Sequence, residues 1–423
     1  MTEQEVQIHD LSHDGRGVAR SASGKTCFIA GALPNETIEY KLLRSKRSFD
    51  EGICTHVKEP SAERVVPRCE YFDKCGGCEL QHLDAQAQLK WKQHQLESMF
   101  ARAGIETRQW MPPLQANVWN YRRRTRLAVV YEKGGRVAVG FREKSSKRVV
   151  DIGHCEILDK RLNLLMPELK GLANHFKNKG LNEIELSAGD TQLAVCFSLK
   201  SALNPKDVDT IKAKLPEIQI WQKLPGKNLQ QLLGERAIKT QLLGGIEMEF
   251  QPGQFVQING ALNLAMLEQA IRWVDPRPEE NMLDLFCGGG NFSLAFAPLL
   301  KSVLGAEGLD NLCKQGAQNA ELNDLPNLEF TTINLFEPNH YARLGKDRFD
   351  IVLLDPPRVG ATELMPWLTK LGPEKILYVS CHPATMVRDI QILSGAYRME
   401  KVGAMNMFPH TSHLEAMTLL VKK

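Results

Sequence analysis

Long apolar runs are missing from this sequence of 423 residues. No stretch reaches the ~18 consecutive apolar residues that a membrane-spanning helix requires, so we expect no membrane partner. Residues 1–5 are polar and acidic and lack the basic-then-apolar order of a secretory signal. Proline (21) and glycine (32) are at ordinary levels, which excludes collagen-like and low-complexity chains. We therefore expect a cytoplasmic globular protein, and the length predicts about two to four domains.

A large net charge is also missing, because 53 Lys and Arg nearly balance 50 Asp and Glu. The average conceals one basic segment, residues 61–150, with 17 Lys and Arg against 9 Asp and Glu. Such clustering is typical either of a solvated surface or of a surface that binds a polyanion. Within it, the strand-like run Trp119–Tyr131 combines four arginines with aromatic residues, which suit phosphate contact and base stacking.

The first sixty residues alternate short strand-like runs with turn residues, a pattern that predicts a small β-barrel. Turns at 14–17, 23–25 and 31–35 separate the runs. Basic residues lie beside Phe49 in the next loop, and small barrels commonly bind oligonucleotides through such loops. A purely structural barrel with a charged loop is the alternative.

Cysteine is not scarce, and three of the ten cysteines form the cluster Cys69-x5-Cys75-Gly-Gly-Cys78. In a cytosolic protein this favours a metal centre over disulfides. The two glycines let the backbone turn tightly around one centre. An all-cysteine site needs a fourth ligand, for which Cys155 is the best candidate. Zinc and an iron–sulfur cluster both accept four thiolates, and the presence of a single Cys-x2-Cys pair favours iron–sulfur.

Residues 281–355 alternate strand-like and helix-like segments and predict a Rossmann-like domain. The run Met282–Phe286 leads into a glycine-rich loop, and the next strand ends at Glu307, an acid suited to ribose hydroxyls. The loop reads Asp-x-Phe-x-Gly-x-Gly rather than Gly-x-Gly-x-x-Gly, which favours S-adenosylmethionine over NAD. Asp355, in Asp-Pro-Pro-Arg, follows a further strand, where open α/β sheets bind ligands.

Two residues near the C-terminus form a candidate catalytic pair. Cys381 follows the buried strand-like run Ile376–Ser380 and is placed like a nucleophile. Cys287 is the alternative nucleophile, but it lies in the glycine-rich loop that is expected to bind the cofactor. Glu415 begins the closing strand and serves as a general base if a neighbouring strand end brings it near Cys381.

Five motifs follow one another along the chain. They are Cys-x5-Cys-Gly-Gly-Cys-x2-Gln-His from Cys69, Asp-Leu-Phe-Cys-Gly-x-Gly-Asn-Phe from Asp284, Asp-Pro-Pro-Arg-x-Gly from Asp355, Ser-Cys-x-Pro-x-Thr from Ser380 and Phe-Pro-x-Thr-x-His-x-Glu from Phe408. With these motifs the sequence resembles the RNA (uracil-C5)-methyltransferase family over nearly its whole length. The N-terminal barrel and the cysteine cluster resemble the type that methylates 23S ribosomal RNA.

The resemblance implies methylation of C5 of a 23S rRNA uridine through a covalent bond between Cys381 and C6, with Glu415 as the base. It implies a [4Fe–4S] cluster whose ligands are Cys69, Cys75, Cys78 and Cys155. It implies an S-adenosylmethionine site formed by Gln257, Phe286, Asn291, Glu307, Asn334 and Asp355. Gly289 departs from the family pattern, which has an apolar residue there, without removing a functional group.

The resemblance also implies three domains. A TRAM or OB-like barrel spans 1–60, a central α/β domain with the iron–sulfur cluster spans 61–250, and a Rossmann-like methyltransferase domain spans 251–423. The spacing of apolar residues predicts a helix over 81–104, and the family suggests that the segment at about 81–112 packs on the methyltransferase domain. We expect a monomer that acts on a single-stranded or loop uridine flipped out of the stack.

Other functions stay open at this point. A tRNA-directed or dual-site uracil-C5 methyltransferase has the same chemistry. A redox-responsive RNA-binding protein would use the cluster alone, but the intact pair Cys381 and Glu415 argues against it. A small-molecule methyltransferase is disfavoured by the basic segment and the barrel.

Overall fold

The structure is a computed structural model, and it describes residues 4–21, 23–234, 237–344 and 349–423. The chain divides into two compact units. One comprises residues 1–95, 142–148 and 408–413, and the other comprises residues 96–141, 149–407 and 414–423. Across the described ranges, no helix has the length and apolar character needed to cross a membrane.

Short strands form the N-terminal sheet of the first unit. They are β1 (Gln4–Gln7), β2 (Asp10–Leu11), β3 (Gly17–Arg20), β4 (Thr26–Ala30), β5 (Thr37–Ser45) and β6 (Phe49–Glu59). Their order is β1-β5-β6-β4-β3-β2, with β4 parallel to β6 and the other pairs antiparallel. Successive residues point to opposite faces, so Cys27 and Ile29 of β4 join Ile38 and Tyr40 of β5 in one buried core.

Helix α1 (Ala85–Arg102) begins and ends at local signals, and β7 (Thr107–Trp110) follows it. The Asp84 carboxylate accepts hydrogen bonds from the backbone amides of Gln86 (2.9 Å) and Ala87 (3.2 Å), which caps the helix. Gly104 follows the last turn at φ +66°, the left-handed conformation that glycine favours. The helix predicted over 81–104 therefore exists but starts later, because Asp84 is its cap.

The second unit contains a central sheet. Its elements in chain order are β8 (Arg124–Tyr131), β9 (Val137–Arg142), β10 (Val149–Asp151), α2 (Lys160–Asn163), α3 (Met166–His175), β11 (Glu183–Ala188), β12 (Leu193–Ser198), α4 (Pro205–Lys214), β13 (Gln219–Lys223) and β14 (Gln230–Leu233). The strand order is β10-β9-β8-β11-β12-β13-β14. Strand β8 pairs antiparallel with β9 and β11, whereas β12 and β13 are parallel. An antiparallel pair follows, β15 (Ile238–Gln241) and β16 (Glu247–Phe250).

A C-terminal sheet completes the second unit. Its elements are α5 (Gly260–Val274), β17 (Asn281–Leu285), α6 (Asn291–Phe296), β18 (Ser302–Glu307), α7 (Asp310–Leu322), β19 (Leu328–Thr332), β20 (Ile351–Leu354), α8 (Met365–Leu371), β21 (Lys375–Ser380), α9 (Pro383–Leu393), β22 (Tyr397–Met405) and β23 (Glu415–Lys422). The order is β19-β18-β17-β20-β21-β23-β22-β7, parallel from β19 to β21. The order reverses at β17, and in such sheets ligands bind at the carboxyl ends of the strands beside this point.

The parallel strands lie in the core of the second unit. Every residue of β20 is buried, as expected where helices cover both faces of a sheet. Leu96 and Phe100, one turn apart on α1, are buried in the same cluster as Leu283 of β17 and Val352 of β20. The second half of α1 therefore packs against the C-terminal sheet.

Candidate functional site

A cleft opens at the carboxyl ends of β17 and β20, and the segment 248–257 forms its other side. Residues far apart in the sequence meet there because the order of the strands reverses between β17 and β20. Of the residues predicted to bind S-adenosylmethionine, the cleft is lined by Gln257, Phe286, Asn291 and Asp355.

The glycine-rich loop after β17 is held by Glu307. The Glu307 carboxylate accepts hydrogen bonds from the backbone amides of Gly288 (3.2 Å) and Leu309 (3.0 Å). Gly288 and Gly290 adopt φ values of +56° and +96°, which residues with a Cβ rarely adopt. A Cβ on Gly289 would meet no atom within 4 Å, so crowding does not require glycine at this position. Glu307 thus fixes the loop that borders the cleft.

Two carboxyl groups lie at the strand ends beside the loop, the buried Asp284 and the half-buried Asp355. Burial raises the pKa of Asp284 and the pKa of Asp355 to about 7. Oδ2 of Asp284 accepts a hydrogen bond from the Ser293 hydroxyl, whereas Oδ1 has no partner among the described residues. A nearby cation stabilises the ionised form of a desolvated carboxyl group. Of the two groups only Asp355 lines the cleft, where its carboxylate suits a positively charged ligand such as the sulfonium of S-adenosylmethionine.

Aromatic residues form one wall of the cleft. Phe286 adopts φ +64°, an uncommon conformation for a residue with a side chain, and its ring centroid lies 5.6 Å from that of Phe336. Oδ1 of Asn334 accepts a hydrogen bond from the Phe336 amide at 3.1 Å. Asn334 does not line the cleft itself, but it shapes the turn that places Phe336 against Phe286.

Amide groups connect the cleft to helix α5. Asn291 and Asn263 exchange two side-chain hydrogen bonds, of 2.8 and 2.9 Å. The backbone carbonyl of Gln257 accepts a hydrogen bond of 2.7 Å from Nε of Arg123. These hydrogen bonds therefore fix the segment before α5 through Gln257 and the helix itself through Asn263.

The predicted catalytic pair meets through the register of two antiparallel strands. Ser380 of β21 pairs with Ala416 of β23, so Cys381, the next residue, comes opposite Glu415. Residues opposite each other in an antiparallel pair have neighbouring side chains. Burial raises the pKa of the Cys381 thiol, the charges of Glu415 and Asp355 raise it further, and Arg358 opposes them.

A buried carboxylate holds the loop that carries Arg358. Asp389 of α9 accepts hydrogen bonds from the Tyr378 hydroxyl (2.7 Å), the Ala361 amide (2.7 Å) and the Thr362 hydroxyl (2.8 Å). The side chain of Asp389 is fully buried. Asp389 therefore ties this loop to β21 near the predicted catalytic pair.

The clustered cysteines lie in the first unit. The backbone amide of Gly77 lies 3.4 Å from Sγ of Cys75, to which it donates a hydrogen bond. Burial lowers the pKa of Lys144, and neighbouring acidic groups, among them the thiols of Cys75 and Cys78, oppose this shift. Backbone donors and a nearby cation favour the thiolate form of cysteine.

The buried ring of His82 lies in the same motif, and neither of its nitrogens has a hydrogen-bond partner in the described chain. Cys155 belongs to the second unit, where Asn163 holds its backbone amide and carbonyl at 2.8 and 2.9 Å. Across the described ranges, no three or more His, Cys, Asp or Glu side chains are arranged as a ready metal site.

The arginine-rich strand is less open than its sequence suggests. Arg124 and Arg126 each donate to the Glu185 carboxylate at 2.9 Å, and Arg123 is buried. Ion pairs with β11 therefore occupy much of this face.

Sequence reasoning missed two residues. Phe255 lines the cleft with 68% of its surface exposed, and its only sequence signal is an aromatic residue two positions before Gln257. Asp389 carries no sequence signal, because its partners come from β21 and from the loop after β20.

Comparison with known proteins gives matches along the whole chain. A family model described as tRNA (Uracil-5-)-methyltransferase matches residues 84–423, and a TRAM domain model matches residues 1–53. Relatives named 23S rRNA (uracil(1939)-C(5))-methyltransferase RlmD occur in Vibrio cholerae and Thiobacillus denitrificans. The first is 37% identical, covering 99% of this chain and 96% of the relative. The second is 39% identical, covering 98% of each.

A solved structure has the same fold over the whole length. It is the Pyrococcus abyssi tRNA (uracil-54, C5)-methyltransferase in complex with S-adenosyl-L-homocysteine, with a TM-score of 0.80, 24% identity and 99% coverage of both chains. The predicted arrangement of an N-terminal TRAM domain and a Rossmann-like methyltransferase fold is confirmed. The chain therefore belongs to the RNA (uracil-C5)-methyltransferase family.

Proposed function

We propose that this protein transfers the methyl group of S-adenosylmethionine to C5 of a uridine in 23S ribosomal RNA. The observation that carries the proposal is the strand register that brings Cys381 opposite Glu415. Methylation at C5 needs both a nucleophile and a base on the same ring. The RlmD names of the full-length relatives support 23S rRNA as the substrate.

The nucleophile activates a carbon that is otherwise unreactive. The Cys381 thiolate forms a bond to C6 of uracil, and the C5=C6 electron pair moves towards the C4 carbonyl as an enolate. When bound, S-adenosylmethionine supplies the methyl group that C5 then takes. The raised pKa of Cys381 leaves little thiolate in the free protein, so the thiol passes its proton to solvent water as the uracil binds, and Glu415 stays ionised for the later step.

The base completes the exchange of a methyl group for a proton. The Glu415 carboxylate removes the proton from C5, and the electrons of that C–H bond restore C5=C6. The bond between C6 and Sγ breaks, and Cys381 leaves as a thiolate. The ring has gained a methyl group and lost one proton, which stays on Glu415.

RNA binding requires surfaces that hold an unstacked nucleotide. C6 of a stacked uracil is closed to a thiolate, so the target is flipped out or lies in a loop. The exposed ring of Phe255 offers a stacking face at the cleft. On the N-terminal sheet, Lys41, Arg44 and Arg47 are exposed and suit phosphate contacts.

We also propose that Cys69, Cys75 and Cys78 hold a [4Fe–4S] cluster, with Cys155 as the predicted fourth ligand. Three observations support the fit: thiols in one loop, a backbone donor to one sulfur, and the half-buried ammonium of Lys144, on which the charges of Cys75 and Cys78 act. The backbone donor and the ammonium of Lys144 offset the negative charge of a thiolate-bound cluster.

Metal analysis tests the cluster. We expect about four irons and four sulfides per chain in protein purified without oxygen. Cys75→Ser should lose most of this iron, whereas Cys54→Ser, a change at another partly buried cysteine of the first unit, should keep it. Zinc without sulfide in the purified protein would contradict the cluster.

Labelling of separated RNAs tests the proposed function. Incubation with methyl-labelled S-adenosylmethionine should place 5-methyluridine in 23S rRNA and not in tRNA. Label in tRNA alone, or in both RNAs, would replace the proposal by a tRNA-directed or a dual-site enzyme. RNA binding without any label would favour the redox-responsive binding protein.

The remaining predictions concern organisation. The division into domains at 1–60, 61–250 and 251–423, the monomeric state and the cytoplasmic location stay predictions.

A further inference from the structure

A second cavity, of about 410 Å³, lies within the second unit. It shares no lining residue with the cofactor cleft. Its buried side chains are polar and include Arg123, Thr240 and Asn259, whereas Gln241 and Ala261 at its edge are exposed. A polar floor beneath an open mouth is typical of a binding site rather than of a packing defect.

A buried guanidinium with an unused donor group lies in this cavity. Arg123 is only 7% exposed, and its Nε and Nη1 donate to the Gln257 carbonyl (2.7 Å) and the Thr240 hydroxyl (2.6 Å). Its Nη2 has no hydrogen-bond partner among the described residues, and the nearby carboxylate of Asp190 acts on Arg123 through its charge. A buried cationic donor without an acceptor is costly, so the site favours a ligand that offers it an oxygen acceptor, as an anion does.

Asn259 presents a second unused donor beside the first turn of α5. Its Oδ1 caps the helix by accepting a hydrogen bond from the Leu262 amide at 3.2 Å. Its Nδ2 is buried and has no partner in the part of the chain that the structure describes. The helix N-terminus adds a partial positive charge to the same place. Two buried donors and a helix end therefore share one cavity.

The carboxylates around the cavity are already occupied. Asp159 pairs with Arg161 through bonds of 3.1 and 2.8 Å. Asp190 accepts hydrogen bonds from the Thr240 hydroxyl (3.2 Å) and the Gln241 amide (2.6 Å). The charge of Asp159 is thus paired with Arg161, whereas the charge of Asp190 also acts on Arg123, whose Nη2 still has no hydrogen-bond partner among the described residues.

We propose that this cavity binds a phosphate group of the RNA backbone, through Nη2 of Arg123, Nδ2 of Asn259 and the N-terminus of α5. Phosphate oxygens are strong acceptors for guanidinium and amide donors. The cavity has room for a phosphate and part of the attached sugar. The choice of RNA as the source of the phosphate rests on the proposed function.

The bound phosphate would lie close to the segment that borders the cofactor cleft. Arg123 holds the carbonyl of Gln257, and Asn263, which also lines the cavity, pairs with Asn291 of the cleft. An RNA phosphate in this cavity therefore fixes the backbone next to the bound cofactor, which links RNA docking to the reactive site.

Asn259→Asp tests the proposal in the full-length protein. Aspartate keeps the capping oxygen but replaces the Nδ2 donor by a negative oxygen. We expect the affinity for a 23S rRNA transcript to fall roughly tenfold, which is the loss of one charge-assisted hydrogen bond. The slope of log affinity against log salt concentration should fall by about 0.7, the value for one phosphate contact on single-stranded RNA.

A second variant distinguishes a loss of phosphate binding from a loss of correct folding. Ala261→Glu places a carboxylate at the exposed edge of the cavity, in the first helical turn, where acidic residues are tolerated well. It should also weaken RNA binding about tenfold, whereas the neutral isostere Ala261→Gln should retain most of the affinity. Asn204→Asp, the same change at the cap of α4, is the control for added charge and should bind RNA normally.

The outcomes separate this site from the proposed function. Unchanged RNA affinity and salt slope in Asn259→Asp and Ala261→Glu would overturn the proposal, as would an equal loss of S-adenosylmethionine binding. Competition by inorganic phosphate without any effect of the variants on RNA would assign the cavity to free phosphate and also overturn it. If the variants weaken RNA binding but wild-type protein leaves 23S rRNA unmethylated, the phosphate site stands and the proposed function fails.

Discussion

Replacing Cys381 by alanine is expected to lower methyl transfer to RNA by ~10⁴-fold or more, because the variant has no atom that can bond to C6 of uracil. Without that bond, C5 stays too weak a nucleophile to take the methyl group. The cofactor cleft is lined by other residues, so S-adenosylmethionine should bind as in the wild type. The measurements are the rate of methyl incorporation into 23S rRNA and cofactor binding by calorimetry.

A matched control removes a thiol elsewhere. Cys196 is buried in β12 of the central sheet, away from the residues that line the cleft. Cys196→Ala should therefore keep methylation within about twofold of wild type, with at most about 1–2 kcal/mol lost from the free energy of unfolding. If Cys381→Ala methylated RNA at the wild-type rate, Cys381 would not be the nucleophile, and Cys287→Ala would be the next variant to assay.

Changing Glu415 to glutamine is expected to stop the reaction after the methyl group has moved. Addition of Cys381 and methylation of C5 precede the step in which Glu415 acts, and glutamine cannot take the proton. Turnover should fall by ~10²–10⁴-fold, the usual contribution of a general base. A covalent complex of protein and methylated RNA should accumulate and survive denaturing electrophoresis.

Two further variants serve as controls, one for the origin of that complex and one for turnover. The double variant with Cys381→Ala and Glu415→Gln should form no covalent complex, because the bond to C6 is made by the thiolate. Glu363→Gln removes an exposed carboxylate of the same sheet domain and should turn over normally. Full turnover by Glu415→Gln would assign the removal of the C5 proton to another group.

Local sequence was enough to predict the strands, the glycine-rich loop and the helix that border the cleft. The apolar run of β17, the glycines that adopt positive φ and the acid at the end of β18 are neighbours in the sequence. Backbone conformations of this kind depend on single residues and short spacings, and for this reason the strand, loop and helix could be placed without a structure. Asn334 shows the limit, because it shapes a turn rather than lining the cleft.

The solvent exposure of the arginine side chains could not be predicted from the same local information. Four arginines between Trp119 and Tyr131 predict a basic face, but Glu185 of β11 binds Arg124 and Arg126. The sequence separates Glu185 from these arginines by about sixty residues, and only the pairing of β8 with β11 brings them together. The burial of Arg123, whose Nη2 has no partner among the described residues, is a result of the same packing.

By itself, the sequence determined the family and the class of cofactor and predicted Cys381 and Glu415 as the catalytic pair, because each of these depends on residue types at short spacings. Tertiary structure decided which of these residues meet. Strand β23 returns antiparallel to β21, and this register alone brings Glu415 to Cys381. The cavity around Arg123 likewise requires β8, β15 and the start of α5 to converge. Such contacts depend on pairing between distant segments, which no local pattern of residues specifies.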